Sequence, residues 1–252
     1  MNRSIGLLPC PRHVRTVGKQ AAYQFSARLL AHEEQQGGHH SERAGSPSLL
    51  SGAFFGIIFF MKLYLLSCHN ILQYADAILP LLPEQRRAAC ARSGSKLTLG
   101  AGLQLASILD VHKDEDLIAG PQGKPFLASG KPEFSLSHSG EHVLLGVSDQ
   151  PIGVDMEPRD RHVTEAVRKR VCLPQETGMD PLTVFTRKEC AMKLTGLGFS
   201  LPLKEIDTTV PYKWEGRSYY FYTTERNGYV ISVLTAEKSL SDIQRLTPEE
   251  LL

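Results

Sequence analysis

Three short stretches of this 252-residue chain place residue types at spacings that can do chemistry. The first is Ile152-Gly-Val-Asp-Met-Glu157. On a strand alternate side chains point to opposite faces, so Ile152, Val154 and Met156 share one face and Gly153, Asp155 and Glu157 the other. Two carboxylates on one face repel unless a cation or basic group sits between them. Hard divalent cations such as Mg²⁺ take oxygen pairs of this kind and complete their shell with substrate phosphates. Gly153 is expected to leave the neighbouring space clear. A bare Asp-x-Glu pair is, however, more often a solvated strand face.

The second stretch is Lys188-Glu-Cys-Ala-Met-Lys193. At helical spacing Phe185, Glu189, Met192, Lys193 and Gly196 lie along one side, with Glu189 and Lys193 one turn apart. An exposed i,i+4 pair is worth only about 0.2–0.5 kcal/mol. Phe185 and Met192 turn this stripe toward the protein instead, where a third metal-directed carboxylate and a phosphate-directed lysine would have partners. The third stretch is Phe134-Ser-Leu-Ser-His-Ser-Gly140. Phe134, Leu136 and His138 alternate onto one face, and Ser137 and Ser139 add hydroxyls suited to a phosphate. A lone histidine in such a place is more often a hydrogen-bonded core or turn group. The chain has no Gly-rich phosphate loop and no Gly-x-Ser-x-Gly elbow.

These residues need an α+β frame to hold them. Strands are expected at 62–67, 133–137, 143–147 and 152–157, with the second and third joined as a hairpin through Ser139-Gly-Glu141. Helices are expected at 72–82, 84–92, 96–109, 164–171 and 182–194, with Pro83 at a helix start and Gly196 and Gly198 after a helix end. The Tyr-rich and β-branched tail from Tyr212 to Thr235 breaks at Glu215-Gly216 and Arg226-Asn-Gly228, which predicts three antiparallel strands. Past Glu237 the chain turns polar and is expected to be a surface terminus. The coarse picture is two α+β halves, 61–150 and 151–252, without a sequence repeat between them.

Lys plus Arg number 28 against 27 Asp plus Glu, which excludes a strongly basic nucleic-acid binder and an acidic solvating chain. The balance is uneven. Residues 1–60 hold six basic and three acidic groups, a Gln-Gln-Gly-Gly-His-His run and an apolar run ending at Phe60. Lys62 interrupts that apolar run before it reaches the roughly 18–20 residues that span a bilayer. Residues 1–60 are therefore read as a disordered extension, or as translation upstream of a natural start at Met61, and no membrane association is expected. The five cysteines, at 10, 68, 90, 172 and 190, form no Cys-x-x-Cys pair, which argues for a reduced, cytoplasmic chain.

Taken in order, Gly123-Lys-Pro125, Phe134–Gly140, Gly153-Val-Asp-Met-Glu157 and Lys188-Glu-Cys-Ala-Met-Lys-Leu-Thr-Gly196 resemble the 4′-phosphopantetheinyl transferases. The likeness is to the surfactin-synthetase-activating type, runs from Met61 to about Val233, and includes a first strand similar to Met61-Lys-Leu-Tyr64. The resemblance implies a pseudo-dimer of two similar α/β subdomains with coenzyme A in the cleft between them. It implies transfer of the phosphopantetheine arm of coenzyme A to a serine of an apo acyl or peptidyl carrier protein by a monomeric enzyme. Carried over residue by residue, Asp155, Glu157 and Glu189 fall on the Mg²⁺ positions, and Glu189 on the base. Lys193 falls on the lysine at the pyrophosphate. Ser137 and His138 fall on coenzyme A phosphate contacts, and Lys124 and Pro125 on the adenine-side loop. Glu176 matches a further acid near the metal.

Departures from the pattern are Phe185 in place of a tryptophan, and Gln85 and Ala88 in place of lysines at the 3′-phosphate. Arg86 is taken as the substitute, with Arg87 and Arg92 as alternatives. Arg161, Arg168, Lys169 and Arg170 form a basic cluster that suits an acidic carrier protein, although a solvated helix face explains it equally well. Two other readings compete: a Mg²⁺-dependent phosphohydrolase using the same carboxylates, and a catalytically silent relative that binds coenzyme A.

Overall fold

A helix expected over 72–82 cannot run unbroken, because Pro80 lacks an N–H and its ring crowds the preceding turn. In the computed structural model, which describes residues 60–252, that stretch is three short helical turns, Ile71–Tyr74, Ala75–Ile78 and Leu79–Leu81. The reading of 1–60 as an extension falls, apart from Phe60, outside the described residues. Two regular helices follow, α1 (Glu84–Ser93) and α2 (Lys96–Leu109). Gly94 closes α1 in the left-handed conformation, and the Ser95 hydroxyl accepts from the Thr98 N–H to begin α2. Later come α3 (Glu165–Val171) and α4 (Pro181–Thr195). Asp180 caps α4 by accepting from the Leu182 and Thr183 N–H groups, and Gly196, at φ 67°, ends it.

The strands are β1 (Met61–Ser67), β2 (Leu117–Ala119), β3 (Pro125–Leu127), β4 (Glu133–Ser139), β5 (His142–Ser148), β6 (Gly153–Pro158), β7 (Tyr212–Trp214), β8 (Arg217–Arg226), β9 (Tyr229–Thr235) and β10 (Ile243–Leu246). They form one sheet in the order β10-β1-β5-β4, a second in the order β6-β9-β8-β7, and a small β2-β3 hairpin. The hairpin at 133–148 and the three strands of the tail match the pattern of turns. The polar terminus is largely exposed, as expected, but part of it is a strand: β10 pairs parallel with β1, Leu63 opposite Ile243 and Leu66 opposite Leu246. Four residues with two apolar ends are too short a run for periodicity to reveal, and the partner strand lies 180 residues away.

Each sheet carries a helix on its outer face, and the two inner faces meet. Leu99, Leu103 and Ala106 of α2 pack on Leu66 and Val143 of the first sheet. Ile152, Val154 and Met156 of β6 pack with Leu63, Leu65 and Leu144 of the first sheet. On the far side of β6, Cys190, Ala191 and Leu194 of α4 pack with Leu234 and Tyr219 of the second sheet. The alternation read from the sequence is thus correct, but Gly153 does not leave clear space. A Cβ there would lie 2.0 Å from the Cys190 carbonyl oxygen and 3.0 Å from the Leu194 nitrogen, so glycine lets α4 lie directly on the strand. Gly153→Ala is expected to lift α4 and to cost at least about 2 kcal/mol, as core overpacking does. Urea unfolding of the variant measures this.

Candidate active site

Asp155 is the centre of the site. It is buried, and its Oδ1 accepts from Lys193 Nζ at 2.7 Å and from Ser137 Oγ at 2.8 Å. Its other oxygen, Oδ2, is buried with no hydrogen-bond partner. The surface pair between Glu189 and Lys193 is not what the structure builds. Lys193 reaches instead across to the strand, 38 residues away in sequence.

Glu157 points to the same side and is held differently: Arg161 Nη1 bonds Oε1, and Ser139 Oγ donates to Oε2 at 3.0 Å. Arg161 also lies over the Phe185 ring at 4.9 Å, so the aromatic of the α4 stripe is used to orient an arginine. Glu189, one turn before Lys193, is half-buried, and its pKa is raised to about 7. Burial contributes most and the Asp155 charge next, against the opposing pull of Lys193 and Arg161. His138, at the exposed end of β4, has its pKa lowered by desolvation and by the Lys193 ammonium. Asp155, Glu189, Lys193, Arg161 and His138 therefore form one electrostatic neighbourhood.

Among the described residues no three His, Cys, Asp or Glu side chains close on one point. Three bare carboxylates repel, and the fold separates them with Lys193, Arg161 and two serines. The donor set still suits a hard cation. Asp155 offers a buried oxygen that lacks a partner, which is costly to leave so. Glu189 beside it has its pKa raised to about 7, by burial first and by that same charge second. Mg²⁺ needs only one or two protein carboxylates when phosphates supply the rest.

Lys124 stands at the start of β3, next to Pro125, and ties the β2-β3 hairpin to α4. Its Nζ donates to the Leu194 carbonyl at 3.1 Å, lies over the Phe126 ring at 4.9 Å, and burial lowers its pKa to about 8. Arg86 lies on α1 with its stem beside Gly102 of α2, and makes no ion pair among the described residues. Glu176 is not at the carboxylate cluster. It is fully buried with Lys188, Oε2 to Nζ 2.9 Å, and takes N–H bonds from Leu173 and Thr208. Burial alone would raise its pKa; those bonds and Lys188 outweigh it and lower the pKa. Lys188 also donates to the Val171 and Leu203 carbonyls, so this pair anchors α4 from the side away from β6.

The roles of Arg161, Ser139 and Lys188 were missed in the sequence. Arg161 follows Glu157 by four residues, but Pro158 stops any helix between them, so the spacing carried no signal. Of the basic cluster, Arg161 is engaged with Glu157 and Arg168 donates to the Thr177 carbonyl.

No family model matches the chain. It is 31% identical over 153 residues to the 4′-phosphopantetheinyl transferase AcpT of Salmonella typhimurium, across 55% of this chain and 74% of that protein. The chain belongs to the 4′-phosphopantetheinyl transferase family. The phosphopantetheinyl transferase psf-1 of Bacillus pumilus is 29% identical over 170 residues, across 59% of this chain and 72% of that protein.

In this phosphopantetheinyl transferase the unusual carboxylate is Glu189, and its titration links to stability. Its folded pKa of about 7 stands above the ordinary 4.5. The stability it contributes is complete below the ordinary value and is lost as pH rises through about 7. Unfolding free energy is expected to fall across that window, and Glu189→Gln to flatten the fall. Urea unfolding at pH values spanning the window compares the two slopes; equal slopes would assign the effect to other groups.

Proposed function

We propose that this enzyme is a transferase of the surfactin-synthetase-activating type. It moves the phosphopantetheine arm of coenzyme A to a serine of an apo acyl or peptidyl carrier protein and releases adenosine 3′,5′-bisphosphate. The observation that carries the reading is the buried, unpartnered Oδ2 of Asp155, beside Lys193 and a Glu189 whose pKa stands near 7. The two helix-backed sheets would be the halves of a pseudo-dimer, acting as a monomer in the cytoplasm. Among the described residues four cysteines are free thiols, and no helix is long and apolar enough to cross a membrane.

Asp155 and Glu189, with Glu157, would hold Mg²⁺, which would supply positive charge to the pyrophosphate oxygens. Phosphoryl-type transfer needs positioning and charge neutralisation more than covalent help. Glu189 would take the carrier serine's proton, directly or through a water, as the oxygen attacks phosphorus. The bond to the bridging oxygen of the pyrophosphate then breaks, its electron pair leaves with the adenosine bisphosphate, and Lys193 is the proton donor nearest in character. His138 and Lys193 would meet phosphates, Lys124 and Pro125 the adenine side, and Arg86 the 3′-phosphate. On α3, Arg170 and Lys169, the latter in an exposed 4.0 Å pair with Glu165, would face the carrier.

Incubating the chain with apo carrier protein, coenzyme A and Mg²⁺ and weighing the carrier by mass spectrometry tests the reading. One phosphopantetheine arm should be added. Coenzyme A consumed with an unmodified carrier would indicate a hydrolase, and neither change a silent binder. Asp155→Ala and Glu189→Ala are each expected to slow the transfer at least about 100-fold, the scale of lost acid–base and electrostatic groups.

A further inference from the structure

We infer that Ser137 is a positioning residue for Asp155. A serine hydroxyl has one proton to give. Ser137 gives it to Asp155 Oδ1 at 2.8 Å and accepts the Met156 N–H at 3.2 Å, inside the protein at 5% exposure. Two neighbours on β4 extend the pattern: Ser135 Oγ accepts the Val154 N–H at 3.1 Å, and Ser139 Oγ donates to Glu157 at 3.0 Å. The serines form a ladder in which β4 of one sheet grips β6 of the other. With Ser137 and Lys193 both on Oδ1, the carboxylate cannot rotate freely, and Oδ2 is the oxygen left for a ligand. The inference rests on the reading of Asp155 as a metal ligand. Groups that orient a metal-binding carboxylate typically change affinity or activity 10- to 100-fold when removed, as a rough guide.

Ser135 supplies the control, since it makes the same kind of seam bond without touching a carboxylate. Mn²⁺ is titrated into the full chain, with the bound ion followed by electron paramagnetic resonance and thermal melting measured in parallel. Ser137→Ala is expected to weaken Mn²⁺ binding about 10-fold or more, and Ser137→Thr, which keeps the hydroxyl, to restore it. Ser135→Ala is expected to lower the melting temperature and leave the affinity unchanged. Equal loss in Ser135→Ala and Ser137→Ala would overturn the inference in favour of general loosening of the seam, and wild-type affinity in Ser137→Ala would overturn it outright. No Mn²⁺ binding by the wild-type chain would overturn the metal-ligand reading and the inference with it, whereas binding by the wild type alone leaves that reading standing. Should Ser137→Ala fail to fold, Ser137→Cys fills the same volume with a much weaker donor and is expected to lose affinity likewise.

Discussion

A carboxylate buried at Asp155 must be given a cation, and much of the architecture follows from that need. Removing one partner of a buried charge pair costs about 3–5 kcal/mol, whereas an exposed pair on one helix is worth a few tenths. Lys193 is about a quarter exposed and Asp155 nearly covered, so their contact falls between these limits and closer to the first. Lys193 can serve Asp155 only if α4 lies at one height and rotation on the second sheet. Gly153 sets the height, because it admits the Cys190 carbonyl where any side chain would push it away. Lys124 holds the Leu194 carbonyl at one end of the helix, and Asp180 caps the other. The buried Lys188–Glu176 pair fixes the face turned away from β6.

Once Lys193 is committed to Asp155, the other carboxylates must be managed without it. Glu157 takes Arg161 and Ser139. Glu189 is left half-buried and next to a charge of its own sign, with no hydrogen-bonded cation among the described residues; burial first and that charge second raise its pKa to about 7. Three acids of similar chemistry thereby acquire three behaviours: one pinned, one paired, one able to exchange a proton near neutrality. Perturbed acids of the last kind gather at active sites because proton transfer is most effective when the pKa matches the working pH.

Much of this was legible in the residues. The period of two in β6, the helical stripe of α4 and the turn at 139–141 put Asp155, Glu189 and His138 in the right elements. What could not be read were contacts between elements. Nothing in the spacing of Glu189 and Lys193 says that the lysine prefers a strand 38 residues away, and burial decided that. Spacing alone does not show that the Ser137 hydroxyl meets Asp155, nor that Lys188 lies beside Glu176 in the interior. The helix over 72–82 failed for a local reason, Pro80, that apolar periodicity outweighed. Strand β10 failed for a global one, since its pairing with β1 is set by the sheet it joins.

The serine ladder also explains why two sheets packed face to face are joined along β4 and β6 without becoming one. Backbone pairing of β4 with β6 would merge them into a single continuous sheet, with β6 lying alongside β4 and its Ile152, Val154 and Met156 face no longer turned onto Leu63, Leu65 and Leu144. Leaving the strands unpaired keeps that apolar contact, but the N–H groups of Val154 and Met156 then need acceptors in the interior. Side-chain hydroxyls on alternate residues of β4 supply them. At Ser137 and Ser139 the hydroxyl proton is directed at the carboxylates that project from β6. At Ser137 the joint between the sheets and the aim of a carboxylate are thus made by one hydroxyl, whereas Ser135 serves the joint alone.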